Sequence, residues 1–493
     1  MIEETSKEAI DLQIQKAAEA FQFLKKITVK ERAVFMNAVA DKIEALGEEL
    51  LAVAHEETSL PLARLSGEKI RTVGQWRSYA KAVSTGIYTE ARIDLAQPGT
   101  LKSDLRKYNT GIGPVVVFGA GNFPLAFSTA GGDTASAIGA GCPVIVKAHP
   151  AHPKTSKIMA DTIAAVVEES GWPEGVFSHI TGTSHQTGTY LVTHKDIKGV
   201  AFTGSFQGGK ALFDQANQRE EPIPVFAEMG SINPVFAFQH ALESRAEALA
   251  KEYAVSLTLG VGQFCTNPGV FVALKSESLN RFITTLKNEI HSVKPISMLH
   301  YGIFENFEKR KELTVSYPGV YRIAEADTEA AEWQGRAMVA ETTGRNFIEN
   351  SILSEEVFGP FGMIVQCETA EEMMQIAKNL KGQLTVTVAA LHEDIHENMD
   401  LISQLKDKCG RFLFNGMPTG VEVVHAMQHG GPFPSTTDVR FTSVGPDAVK
   451  RFVRPFSFQN WPDEFLPDEL KNSNPLQISR IVNGELISGP IKL

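Results

Sequence analysis

Three well-separated residues in this 493-residue chain are of the types that carry out acyl chemistry: Cys265, Glu228 and Asn122. Cys265 sits in TLGVGQFCTNPG, a loop-like stretch of small and polar residues. A thiol there becomes a nucleophile when local dipoles or cations lower its pKa; a lone cysteine otherwise serves as a small buried hydrophobe. Glu228 ends the short apolar run VFAE, before Met229-Gly230. Desolvation at a strand end raises a carboxyl pKa toward the range of a general base; an edge carboxylate in a salt bridge is the other reading. Asn122 lies just past the strand-like GPVVVFGA, where its amide can donate to a developing oxyanion or cap the next helix. Cys142, in apolar CPVIV, reads as a buried strand residue, and Cys367 and Cys409 have no reactive setting. No C-x-x-C pair is present, which leaves neither a zinc ribbon nor a thioredoxin motif.

Other patterns imitate chemistry. Gly119-Ala120-Gly121 follows a strand, but the third glycine of G-x-G-x-x-G would fall on Pro124, so an ordinary dinucleotide phosphate turn fails. His392-Glu393-x-x-His396 matches a zinc-protease pattern. It falls at a strand–helix junction that leaves His392 before the first turn, so no metal is expected. His149-x-x-His152 is interrupted by prolines and reads as a loop whose imidazoles sit near an anion.

The elements that must position these residues follow from hydrophobic spacing. From about Ser6 to Val83 apolar residues recur every three to four positions, which predicts helices. Gly86 to Asn109 changes to short polar pieces around Pro98-Gly99, a hairpin signal. Strand-like GPVVVFGA, CPVIVKA, GVFSHITG and GVAFTG then alternate with helical stretches. A second alternation from Pro234 to about Asn415 contains GVFVALK, MIVQCE and TVTVAAL. Such alternation predicts parallel sheets with right-handed crossovers, hence two α/β domains. The tail after Gly431, rich in Pro, Phe and Asn, reads as an extended arm. Lys and Arg total 47 against 58 Asp and Glu, a net charge of −11, which argues against a nucleic-acid partner. A hydrophobic fraction of 43% is enough for a large core. No run approaches the ~20 apolar residues of a membrane span, so no membrane partner is expected. MIEETSKEAIDLQ lacks the plan of a signal peptide, so the expected address is cytoplasmic.

The whole set of motifs resembles the aldehyde dehydrogenase superfamily over nearly the full length. The resemblance rests on Asn122-Phe123-Pro124, Val146-Lys147, Phe202-Thr203-Gly204-Ser205, Glu228-Met229-Gly230, Gly262-Gln263-x-Cys265, Glu355 to Pro360, and FNGMPTGVEV, in the family's order. It implies an α/β, aldehyde dehydrogenase-like fold. An atypical Rossmann cofactor domain would span 1–90 and 111–230, and an α/β catalytic domain 231–430. A β oligomerisation hairpin and C-terminal arm, 91–110 and 431–493, would build a homodimer or homotetramer. By the same resemblance Cys265, as thiolate, attacks an aldehyde, Asn122 and the Cys265 N–H hold the oxyanion, and Glu228 activates the water that hydrolyses the thioester. Lys147 would bind the adenosine ribose, Gly204 and Ser205 the pyrophosphate at a helix N-terminus, Glu356 the nicotinamide ribose, and Phe358 would pack beside it.

Two departures, Ser231 and Gly121, together with CTNPG and HGGPFPSTTD, resemble a branch of NADP-linked and 2-oxoglutaric semialdehyde dehydrogenases. The Ser231 departure is not expected to touch a reacting group. NAD-specific relatives carry an acidic residue three positions after the lysine; here Pro150 stands there. Lys147, His149, Lys154 and His185 offer positive potential for a 2′-phosphate. NADP is the expected cofactor, with NAD as the alternative. The expected reaction is 2-oxoglutaric semialdehyde to 2-oxoglutarate. A medium- or long-chain fatty aldehyde is the alternative, and a non-catalytic homologue a remote one. An acylating dehydrogenase using coenzyme A is disfavoured by the presence of Glu228. By the same resemblance Phe123, Phe127, Phe264 and Phe433 would lie around the substrate tunnel. A carboxylate substrate also needs a cation, for which Arg440 and Arg454 are the candidates.

Overall fold

In the computed structural model, which describes residues 2–97 and 99–491, the chain opens with four helices. These are α1 (Lys7–Leu24), α2 (Val29–Ala45), α3 (Glu48–Thr58) and α4 (Leu62–Ser84). Their starts are written locally: Thr28 and Glu31 form a reciprocal capping box on α2. Their apolar stripes share one core, in which Met36, Val39, Trp76 and Tyr79 are fully buried. Trp76 donates its indole N–H to the carbonyl of Ala130 at 2.8 Å, so α4 clamps the segment that follows Asn122.

Strands β1 (Arg92–Asp94) and β2 (Leu105–Gly111) pair antiparallel, as the hairpin signal predicts; Pro98 of the expected turn lies outside the described residues. The next five strands are β3 (Val115–Phe118), β4 (Val144–Lys147), β5 (Phe177–Ile180), β6 (Gly199–Thr203) and β7 (Val225–Glu228). Helices α5 (Gly132–Gly139), α6 (Pro153–Glu169), α7 (His185–Thr193) and α8 (Phe206–Asn217) cross between them. All the pairings are parallel, in the order β5-β4-β3-β6-β7. The chain starts in the middle of this sheet, winds out through β4 and β5, then returns to add β6 and β7. The switch point lies between β3 and β6, and ligands of open α/β sheets collect outside the carboxyl ends there.

The second sheet begins with β8 (Val235–Ala237), which leads through α9 (Gln239–Thr258) to β9 (Val270–Leu274). Its other members are β11 (Val320–Glu325), β13 (Met338–Thr343), β14 (Phe361–Cys367), β15 (Gln383–Ala389) and β16 (Cys409–Phe414), while β10 (Ile296–Ser297) and β12 (Gln334–Gly335) form a separate ribbon. The order is β11-β13-β14-β9-β8-β15-β16, with β11 alone antiparallel. The loops entering β8, β9 and β14 meet the carboxyl ends of the first sheet, and the site forms between them.

The tail is not extended throughout. Between 429 and 452 it folds back onto the first sheet: the Thr437 N–H donates to the carbonyl of Ala227, and Ala448, Val449 and Phe452 enter the core. These apolar residues have to be covered, and the helical core supplies the cover. Extended chain resumes at β17 (Val453–Gln459), which joins β18 (Arg480–Val482) and β19 (Glu485–Ile487) in a third sheet, β17-β2-β1-β18-β19. Among the described residues, no helix is long and apolar enough to cross a membrane.

Candidate active site

At the junction of the two sheets, Cys265 Sγ lies 3.5 Å from His429 Nε2, and that nitrogen lies 3.0 Å from Glu228 Oε1. Ser443 donates to the other Glu228 oxygen at 2.7 Å. Both Glu228 and His429 are buried. Asn122 donates its amide to the carbonyl of Gln263 at 3.2 Å, which ties it to the Cys265 loop. The structure therefore brings together Cys265, Glu228 and Asn122 and adds His429 and Ser443. Cys142, Cys367 and Cys409 lie elsewhere; burial raises Cys142 to about 11 and the other two to about 12.

Local sequence explains how each group is held. Glu228 ends β7, where its carbonyl accepts from Gly204 N–H at 3.0 Å. The Cys265 loop begins with Gly260, Val261 and Gly262, all left-handed, with φ of 55°, 58° and 63°. At Gly262 a Cβ would stand 2.3 Å from the Gly359 backbone, so glycine lets the loop bearing Glu356 and Phe358 close onto the Cys265 loop. Asn233 donates to the carbonyls of Cys265 and Asn267 at 2.8 and 2.9 Å. The turn bearing Asn122 is held from α4: one Glu68 oxygen accepts from the N–H groups of Leu125 and Ala126, and Arg64 donates to the Asn122 carbonyl at 2.8 Å.

The electrostatics correct two expectations. Burial pushes the Cys265 thiol well above its ordinary range, and the neighbouring Glu228 carboxylate adds to this. The group at rest is a thiol, not a thiolate. For Glu228 burial alone would raise the pKa, but the paired His429 ring and the Ser443 hydroxyl hold it below the ordinary carboxylate range. Both reversals have one cause: the proton acceptor and the thiol share a buried site with an imidazole between them. His429 lies in HGGPFPSTTD, yet its contact with Glu228 spans 201 residues, and no local spacing announces such a partner. Ser443 and Asn233 were equally hidden. The three ligand atoms of Glu228, Cys265 and His429 lie within 4.8 Å of one another, a spacing that could also hold a metal ion.

The expected cofactor residues gather at the strand ends. Lys147 ends β4 and donates to the carbonyls of Ala148 and Gly182 at 3.0 and 2.6 Å. Ser205 caps α8, accepting from Gly208 N–H at 3.2 Å, and Gly204 precedes it. Glu356 stands over Gly230, where a Cβ would lie 2.6 Å from its carboxylate; burial pushes Glu356 up to about 8. Glu356, Phe358, Phe264 and Gly262 line a cleft of about 400 Å³. A helix N-terminus, a half-buried lysine and a carboxylate-lined cleft fit a nicotinamide dinucleotide. The cationic role expected of His149 is corrected. Its ring packs under Gly121 and stacks on His152 with centroids 5.4 Å apart. Burial pushes its pKa well down, so it is neutral and props the Asn122 turn. Lys154 pairs with Glu56, while Pro150 and His185 are exposed. Near Lys147, Glu4 binds the start of α7 through Ser184 N–H and the Thr187 hydroxyl at 2.8 and 2.9 Å.

Phe123 meets Phe127 and Phe264 edge to face, with centroids 5.3 and 5.5 Å apart, so three of the expected tunnel rings cluster beside Asn122 and Cys265. Phe433 does not join them: it is 52% exposed and packs on Phe206. Arg440 and Arg454 are also misplaced as substrate cations. Arg440 is exposed and paired with Asp438, and Arg454 is exposed on β17. His392 and His396 are exposed on a six-residue helix start.

Residues 1–301 match the Aldehyde dehydrogenase family. The chain is 46% identical over 472 residues to alpha-ketoglutaric semialdehyde dehydrogenase 2 of Azospirillum brasilense, covering 95% of this chain and 90% of that protein. It is 42% identical over 481 residues to alpha-ketoglutaric semialdehyde dehydrogenase of Acinetobacter baylyi, covering 97% and 91%. Betaine aldehyde dehydrogenase from Staphylococcus aureus, solved with NAD+, shares the fold with a TM-score of 0.78 at 19% identity, covering 92% of this chain and 88% of that one. Family, relatives and fold agree: the chain belongs to the aldehyde dehydrogenase family.

Proposed function

We propose that this protein oxidises 2-oxoglutaric semialdehyde (alpha-ketoglutaric semialdehyde) to 2-oxoglutarate, with NADP+ or NAD+ as hydride acceptor. The Cys265–His429–Glu228 cluster, facing Asn122, carries the reaction type. The two relatives above 40% identity carry the substrate. Cys265 Sγ attacks the aldehyde carbon as its proton passes to Glu228 and from there to solvent, which restores the carboxylate that His429 Nε2–H holds at 3.0 Å. The oxyanion of the resulting thiohemiacetal takes hydrogen bonds from the Asn122 amide and the Cys265 N–H, each such donor worth about 3 kcal/mol. Bound in the cleft, a nicotinamide dinucleotide would supply the hydride acceptor, and loss of hydride from the thiohemiacetal carbon would leave Cys265 acylated as a thioester. Glu228, ionised and buried, then takes a proton from water, whose oxygen attacks the thioester and releases the acid and the Cys265 thiol. Lys147, Ser205, Gly204, Glu356 and Phe358 would hold the dinucleotide. NADP+ is the proposed preference, since no acidic residue stands three positions after Lys147.

We also infer a cytoplasmic homodimer or homotetramer, with a cofactor domain over 1–90 and 111–230, a catalytic domain over 231–430, and the third sheet, within 91–110 and 431–493, as oligomerisation arm. A substrate panel tests the reading: kcat/KM for 2-oxoglutaric semialdehyde, succinic semialdehyde, hexanal and decanal, each with NAD+ and NADP+. The oxo-acid should lead. A tenfold lead for decanal would replace this reading with a fatty-aldehyde dehydrogenase, and a tenfold lead for NAD+ would overturn the NADP+ preference.

A further inference from the structure

One face of α4 carries two arginines for which the reaction steps give no use. Arg64, Glu68 and Arg71 stand at i, i+4 and i+7, one stripe of the helix, and this stripe packs on the turn bearing Asn122. Arg64 donates to the Asn122 carbonyl, and its guanidinium lies 4.9 Å from the ring centres of both Phe123 and Phe264. Arg71 lies 5.3 Å from the ring centre of Phe127 and donates from Nη1 to the carbonyl of Val421. Its other edge, Nε and Nη2, is buried and finds no partner among the described residues. That edge is the one a carboxylate meets with two parallel hydrogen bonds. The chain makes such a pair elsewhere: Arg106 Nε and Nη2 donate to the two oxygens of Asp104 at 2.8 and 3.0 Å.

Glu68 does not fill the role of partner: its Oε1 accepts from the N–H groups of Leu125 and Ala126, and its Oε2, though buried, makes no hydrogen bond to Arg71. Two guanidinium groups against one carboxylate leave the stripe with an excess positive charge. The Arg71 charge acts on both Cys265 and Glu228, so the guanidinium stands within electrostatic reach of the reacting atoms. An unpaired, buried guanidinium edge beside the Phe127 ring is costly unless something anionic enters. We propose that Arg71 is the receptor for the substrate carboxylate, its Nε and Nη2 gripping the acid end while the aldehyde end lies at Cys265. Phe123, Phe127 and Phe264 enclose the short chain between them. The inference rests on the acid-semialdehyde reading above and names the residue that sets its specificity. A fatty aldehyde would leave this edge unpaired.

The test measures kcat/KM of wild type, Arg71→Lys and Arg71→Met on 2-oxoglutaric semialdehyde and on hexanal, with thermal unfolding of each variant. Arg71→Met should lose at least ~30-fold on the acid, mostly through KM, and change less than about 3-fold on hexanal. Arg71→Lys should fall between, since it keeps the charge and loses the fork. Inhibition by the product 2-oxoglutarate should weaken in parallel. Equal losses on both aldehydes, or an acid preference kept without Arg71, would overturn the assignment while leaving the acid-semialdehyde reading in place. A wild type that prefers hexanal would overturn that reading and this assignment together. If Arg71→Met fails to fold, Arg71→Lys and product inhibition carry the same comparison.

Discussion

Cys265 is half-buried beside a carboxylate, and desolvation together with that charge keeps the proton on sulfur until Glu228 accepts it. The account therefore makes Cys265 the one essential thiol. Cys265→Ala should abolish aldehyde oxidation and leave dinucleotide binding, followed by fluorescence titration, unchanged. His429 makes a sharper prediction. Its contact lowers the Glu228 pKa, so the carboxylate is ionised across the neutral range. Removing the imidazole in His429→Ala leaves burial as the dominant influence, and burial favours the protonated acid. The acid limb of kcat against pH should move upward, toward neutrality, by at least ~1 pH unit. A limb that stays in place would mean that the Ser443 hydroxyl alone keeps Glu228 ionised.

Loops, more than strands, decide the site. Gly262 combines a φ of 63° with a Cβ position 2.3 Å from the Gly359 backbone. Gly262→Ala should cost ~1–2 kcal/mol for the left-handed conformation alone, read as a lowered midpoint of thermal unfolding. It should also push the loops of Cys265 and Glu356 apart and reduce kcat/KM by at least ~100-fold. An alanine variant with wild-type kinetics would show that these loops need not touch. The strands that present Asn122, Lys147, Ser205 and Glu228 were legible, because short apolar runs between small-residue turns leave few alternatives for a parallel sheet. The fold back of residues 429–452 was not legible. Its proline-rich composition suggests extended chain, and only the assembled sheet shows the surface that Val449 and Phe452 cover. His149 misled for a related reason, since a histidine beside a lysine suggests a cation until burial is known.

Among the described residues three large sheets and a two-stranded ribbon make the molecule, and the third sheet and the segment after it leave rings uncovered: Phe456, on β17, and Trp461 and Phe465 beyond it are 41%, 52% and 67% exposed. Exposed rings at and beside a sheet, with Phe458 packed between Phe456 and Trp461, fit contact with a second copy of the chain. Sedimentation should show a dimer or tetramer, and Trp461→Glu should shift it toward monomer; a monomeric wild type would contradict the proposed arm. The reaction itself unites the first two sheets, since Glu228 and Asn122 come from one and Cys265 from the loops of the other. Acid-quenched peptide mapping of the Glu228→Gln variant, after mixing with 2-oxoglutaric semialdehyde and NADP+, tests that union most directly. With the carboxylate gone, His429 Nε2 at 3.5 Å is free to take the Cys265 proton, so the expected result is a burst of reduced cofactor and one acyl group, on Cys265, persisting because water is no longer activated. Acyl label on another cysteine, or full turnover with no label on Cys265, would contradict it.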